Sequence, residues 1–278
     1  MDFEKSDWRV IFDKPIDGAM NMAIDEAILE SVTSSSAPAT LRLYAWEPPC
    51  VSLGYAQPVS DVSIVEITNR GYDLVRRPTG GRAILHTDEL TYSVNGPQDE
   101  PRLAGGVLTS YNVLAKALLY ALQSLGIPAI SVEKSPEETR FKGDKKNPVC
   151  FEVPSSYEIT VDGKKLIGSA QARRKGGVMQ HGTLPLEGDL TRLIRVLNFP
   201  DRESRDAAAA RLFEKAATVR DVSKKPVSWD KAARAFADAF SEVLNLNLVA
   251  DNITASEMER AEELYREKYS NQMWINRV

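Results

Sequence analysis

"SYEITVDGKKLIGSAQARRKGGVMQHGTLPL", running from Ser156 to Leu186, decides the fold. Polar and apolar residues alternate on both sides of Asp162-Gly163, a dipeptide suited to a two-residue hairpin turn because both positions accept positive φ. Lys175-Gly176-Gly177 supplies a second turn, so the stretch reads as successive strands joined by tight turns. Upstream, ELTYSVN reads as a further strand and TLRLYAW alternates like a half-buried one. VSLGY follows the Pro48-Pro49 interruption as a short strand, and DLVRR and RAILH flank Gly80-Gly81, which makes Thr79 to Gly81 a tight turn between strands.

Helices surround these strands. AMNMAIDEAILESV follows Asp17-Gly18 with Met22, Ala23, Ile28 and Leu29 near helical spacing, and GVLTSYNVLAKALLYALQSLG stops at Gly126-Ile127-Pro128. After Gly188 the pattern turns helical: LTRLIRVL, RDAAAARLFEKA, KAARAFADAFSEVL and ASEMERAEELYREKY. The expectation is an α+β fold: a mixed, largely antiparallel sheet flanked by helices, with a helical C-terminal section. From Glu133 to Pro148 nine of sixteen residues are charged and no periodicity survives, which reads as a long surface loop or lid.

The composition restricts function. The 278 residues are 43% hydrophobic, enough for a sizeable core, and the net charge is −4, from 35 basic against 39 acidic side chains. No global positive field argues for nucleic acid or an anionic membrane. No apolar run reaches membrane-spanning length, and MDFEKSDWRVIF is charged where a signal peptide has its apolar core, so a cytoplasmic location is expected. Two cysteines make no disulfide framework. The two histidines, His86 and His181, form no HxxH or HExxH and no zinc spacing with the cysteines, and no metal is expected. No Walker A or GxGxxG pattern surrounds Gly80 and Gly81, and Ser169 lacks a GxSxG elbow.

Cys150 in NPVCFEVPSSYEI is the candidate nucleophile. Lys142, Lys145, Lys146, Lys164 and Lys165 lie near it in sequence, and an adjacent ammonium favours thiolate over thiol. Cys50 opens an apolar strand and reads as packing. A Lys-Lys pair after a turn is ordinarily solvated charge, and at most one of Lys164 and Lys165 points to a given face. With a two-residue turn, Lys164, Leu166 and Gly168 share the face of Tyr157, Ile159 and Val161, leaving Lys165 with Thr160; spacing alone does not choose between the two lysines.

NMAIDEAIL, WEPPCVSLGYAQ, RRPTGGRAILHTDELTYS and DGKKLIGSAQARRKGGVMQHGTLPL together resemble the lipoate-protein ligase A and biotin ligase superfamily over roughly residues 10 to 200. CFEVPSSYEI and GGRAILH resemble its LipM-type octanoyltransferase branch. The resemblance implies an acyltransferase catalytic domain over residues 1–200 and a helical extension, 201–278, packed on it. It implies an acyl-binding loop from Arg76 to His86, with Arg76, Arg77, Thr79, Gly80, Gly81, Arg82, Ala83 and His86 facing substrate together with Gly168, Ser169, Ala170, His181 and Gly182. Lys165 matches the superfamily's catalytic lysine, which requires a bulge or a pocket on the face opposite the apolar core. The implied reaction moves an octanoyl group from octanoyl-acyl carrier protein to Cys150, then to a lysine of a lipoyl domain such as the glycine cleavage H protein, with no cofactor. Backbone N–H groups near Gly168 to Ala170 or His86 would stabilise the oxyanion. Arg140, Lys142, Lys145, Lys146, Arg173, Arg174 and Lys175 are candidate docking charges for acidic partners. The competing expectations are an ATP-dependent lipoate ligase, an amidotransferase working between lipoyl domains, and a non-catalytic acyl- or nucleic-acid-binding regulator.

Overall fold

The computed structural model describes residues 3–133, 157–223 and 225–278. The larger sheet contains β1 (Ser6–Phe12), β2 (Thr40–Tyr44), β6 (Glu89–Pro97), β7 (Ile130–Glu133), β8 (Tyr157–Val161), β9 (Lys164–Arg174), β10 (Gly177–Pro185) and β11 (Leu246–Ala250). Their order is β11-β1-β2-β6-β10-β9-β8-β7; β1 runs parallel to β11 and β2, and the other pairs are antiparallel. Three further strands, β3 (Cys50–Leu53), β4 (Asp73–Arg76) and β5 (Ile84–His86), form a small sheet in the order β4-β3-β5. This is the α+β arrangement with a largely antiparallel sheet that the sequence leads one to expect. Among the described residues no helix is long and apolar enough to cross a membrane.

Helices cover both faces. Helix α1 (Gly18–Thr33), capped by the Asp17 carboxylate accepting from Met20 N, lies on one face of β6 and β10. Helices α3 (Val107–Ser124) and α6 (Trp229–Val243) bury Leu114, Leu118, Phe236 and Phe240 with Tyr92 and Val94 on the other. Covered on both sides, β2 is buried at all five residues, where alternation predicts a half-buried strand. Buried Arg42 compensates on its α1 side, donating to Asp13, Asp25 and Asn21.

Three local expectations change. Strands β4 and β5 do not pair with each other; each pairs with β3, β4 in parallel and β5 antiparallel. The Arg77–Ala83 segment therefore passes over the end of β3 instead of closing a hairpin. LTRLIRVL is a 3₁₀ segment, Leu190–Val196, not an α-helix. The C-terminal part contains α4 (Arg202–Lys215), α5 (Val219–Ser223), α7 (Ala255–Leu264) and α8 (Gln272–Ile275), but also β11, which pairs with β1 from Ser6↔Leu246 to Val10↔Ala250.

The hairpin at Asp162-Gly163 forms as its turn chemistry dictates, with φ of 50° and 75°. Val161 pairs with Lys164 and Thr160 with Lys165, after which the register slips so that Ile159 meets Ile167. Leu166 is the extra residue of a β-bulge. The slip lets Leu166 and Ile167, adjacent in sequence, both enter the core beside Ile159 and Val161. It also reverses the parity of β9, so that Lys165 shares a face with Gly168 and Ala170.

Candidate active site

A cleft opens between the small sheet and the α1-covered face of the large sheet. Its walls are Met22, Trp46, Ser52, Arg77, Gly81, Ile84, His86, Thr91, Gly168, Ser169, Ala170, His181, Gly182 and Thr183, and the space between them, open solvent included, is about 440 Å³. The Gly80-Gly81 segment forms its rim, with Gly81 at φ 96°. Gly54 makes this approach possible, since a Cβ there would sit 2.0 Å from Gly81 O.

Arg77, almost fully buried, fixes the rim to β3. One guanidinium nitrogen donates to Ser52 O at 2.8 Å and Ser52 Oγ at 3.0 Å; the other donates to Gly80 O at 2.9 Å and Arg82 O at 2.7 Å. Ser52 Oγ lies 2.7 Å from His86 Nε2, and His86 Nδ1 lies 2.6 Å from Glu89 Oε1. These partners assign the proton order. The guanidinium can only donate and the Glu89 carboxylate only accepts, so His86 donates from Nδ1 to Glu89, and Ser52 Oγ, accepting from Arg77, faces Nε2. Trp46 stacks on the His86 ring at 4.0 Å and 11°, and its Nε1 donates to Thr91 Oγ1, which donates to Glu89.

His181 faces the cleft from β10. Its Nε2 lies 2.6 Å from Thr79 Oγ1, which ties the rim to the large sheet. Burial, reinforced by the nearby Arg77 and His86, lowers its pKa to about 3, so the ring stays neutral. Gly182 is enclosed: a Cβ would meet Ser169 Oγ at 2.5 Å and Gly168 O at 2.6 Å. The Ser169 hydroxyl is 2.7 Å from Tyr92 OH.

Arg77, Gly81, His86, Gly168, Ser169, Ala170, His181 and Gly182 thus come together from three strands and a loop. Thr79 and Gly80 stand immediately behind them. Arg76 lies apart: fully buried, it donates to Gly54 O and Gln57 O and to Ile275 O, clamping α8 onto the small sheet. Arg82 approaches Asp61 at 3.9 Å, and Ala83 packs in the small-sheet core. Buried Lys165 does not line the cleft; its Nζ is 3.7 Å from Glu158 Oε1. Lys164 donates to Phe213 O. Arg173 donates to Leu103 O and Ser110 Oγ, whereas Arg174 donates to Pro78 O beside the rim. Cys50 is buried, and burial pushes its thiol pKa well up, as suits packing. Cys150, Arg140, Lys142, Lys145 and Lys146 lie outside the described residues.

Sequence reasoning passed over Met22, Trp46, Ser52, Thr91 and Thr183, which complete the walls. Ser52 had a signal: it is the polar position inside the apolar VSLGY strand.

The model of the lipoyl protein ligase A/B catalytic domain matches residues 17–241. The chain is 39% identical over 269 residues to an octanoyltransferase LipM of Brevibacillus brevis, covering 96% of this chain and 98% of that protein. It is 40% identical to a LipM of Carboxydothermus hydrogenoformans, covering 97% and 98%. Among solved structures, a bipartite lipoate protein ligase of Thermoplasma acidophilum, described with its E2 lipoyl domain, superposes with TM-score 0.81 at 28% identity, covering 98% of each chain. A lipoate-protein ligase A bound with ATP superposes with TM-score 0.78 at 27% identity, covering 98% of this chain and all of the other.

Proposed function

As a member of the lipoyl protein ligase A/B catalytic-domain family, an acyltransferase acting in protein lipoylation, the chain, we propose, takes octanoyl from octanoyl-acyl carrier protein onto Cys150 and passes it to a lysine of a lipoyl domain, the glycine cleavage H protein being the expected acceptor. The observation that carries the reading is the 39–40% identity to octanoyltransferases over nearly the whole of both chains. The cleft's chemistry agrees with it. The wall groups Arg77 and His86 are engaged by protein partners, and His181 is neutral, so the walls suit an uncharged acyl chain better than a free carboxylate.

In this reaction Cys150 attacks the thioester carbonyl as thiolate, and Lys165, its face set by the bulge at Leu166, supplies the neighbouring ammonium. The Arg77 and Thr79–His181 bonds hold the Gly80-Gly81 rim over the acyl chain. Thioester to thioester to amide runs downhill, so the scheme uses no nucleotide. A bipartite ligase described with its lipoyl domain, at TM-score 0.81, supports a lipoyl-domain acceptor here.

The test mixes the protein with octanoyl-acyl carrier protein and an apo lipoyl domain without ATP and measures octanoylation of the acceptor lysine. Octanoyl amide formation is expected. Modification that occurs only with ATP and a free acid would identify a ligase. Transfer only from an octanoylated lipoyl domain would identify an amidotransferase.

A further inference from the structure

Most polar side-chain atoms that wall the cleft have a protein partner. Among the described residues Thr183 Oγ1 has none: the residue is 1% exposed, and its hydroxyl is a buried polar atom without a hydrogen bond to them. Leaving a buried hydroxyl unpaired is costly, and such groups in folded proteins call for an explanation. Its position supplies one. Thr183 is opposite Gly168 on β9 and Thr91 on β6, so its side chain leaves the sheet on the cleft side, where it is a wall residue. Gly168 beside it carries no side chain, and Lys165 lies three residues along β9 on the same face because of the bulge. Thr91 Oγ1, opposite it on β6, accepts from Trp46 and donates to Glu89 and makes no bond to Thr183. Thr160 Oγ1 is unpaired too, but Thr160 is not in the cleft wall.

The geometry points to Thr183 as a catalytic residue whose hydroxyl donates to the carbonyl oxygen of the bound thioester. The assignment rests on the acyl-transfer reading above. As the Cys150 Sγ–C bond forms, the carbonyl π pair moves to oxygen, and the Thr183 O–H stabilises that oxyanion. When the oxyanion collapses, the C=O bond re-forms, the C–S bond to the carrier breaks, and the departing thiolate takes up a proton from solvent. Because the donor has no partner among the described residues, no bond to them is broken when the charge develops.

The experiment follows acyl-enzyme formation by rapid-quench intact mass with octanoyl-acyl carrier protein, in wild type, Thr183→Val and Thr183→Ser. Valine keeps the shape and deletes the donor; serine keeps the donor. Thr183→Val should acylate about 100-fold more slowly at saturating donor. Its KM should be little changed and its melting temperature no lower than wild type, since an unpaired buried hydroxyl has been removed. Thr183→Ser should stay within about 10-fold of wild type, close to one decade of rate. Equal rates in wild type and Thr183→Val would overturn the inference and leave the acyl-transfer reading standing. A loss as large in Thr183→Ser would assign the effect to the missing methyl group and overturn it as well. No adduct in wild type would overturn the reading and the inference together.

Discussion

His181 shows how much a single side chain can carry without titrating. Its pKa falls from an ordinary 6.5 to about 3, chiefly through burial. Below pH 6.5 the unfolded chain binds a proton that the folded chain refuses until about pH 3, so the stability due to the neutral ring is complete above 6.5 and is lost as pH falls toward 3. Between pH 6.5 and about 4.5, wild type should lose roughly 2 to 3 kcal/mol more than His181→Gln, measured by urea denaturation at both pH values. Parallel losses would show that the ring is not kept neutral by the fold. His181 and His86 are conspicuous in the sequence as the only two of their kind. Their partners Thr79, Ser52 and Glu89 were less legible, because the bonds join residues whose proximity depends on strand order; Thr79 and His181 are 102 positions apart.

Strands and helices were legible wherever local chemistry fixes them. Asp162-Gly163 set its turn, and the adjacent apolar pair Leu166-Ile167 broke the alternation exactly where the bulge forms. Strand β11 was missed despite the alternation in LNLNLVA, because its partner β1 is some 240 residues away and helical segments surround it. The Gly80-Gly81 turn was misjudged for a similar reason: β3 lies between the strands that flank it. Arg76 looked like a ligand group in RRPTGG but joins elements, donating to the Gly54 and Gln57 carbonyls just after β3 and to the Ile275 carbonyl of α8. Replacing it by alanine would take the guanidinium donor from the buried Gln57 and Ile275 carbonyls. Arg76→Ala should cost about 3 kcal/mol or more in urea denaturation and speed amide exchange in α8. A cost under about 1 kcal/mol, with exchange unchanged, would mean that α8 is held by its other contacts.

At the scale of the molecule, the fold leaves the reaction open. Lipoate ligases at 27–28% identity superpose on nearly the full chain, and the octanoyltransferases that are 39–40% identical share the same family. One scaffold hosts different activation chemistries, so the reaction is decided at the site. The four quoted motifs made the family legible, and the coarse helix and strand pattern made the α+β class legible. What spacing could not supply was which of Lys164 and Lys165 shares a face with Gly168, which the bulge governs, or the walls built from Trp46, Thr91 and Thr183, which only the stacking of the two sheets brings together. The central claim, a thioester on Cys150, is tested most directly by intact mass after mixing with octanoyl-acyl carrier protein in the absence of ATP, for wild type and Cys150→Ser. An octanoyl adduct on wild type that hydroxylamine removes, and that is absent from Cys150→Ser, is the predicted result. No adduct on wild type, with lipoate attached to a lipoyl domain only when ATP is present, would contradict it.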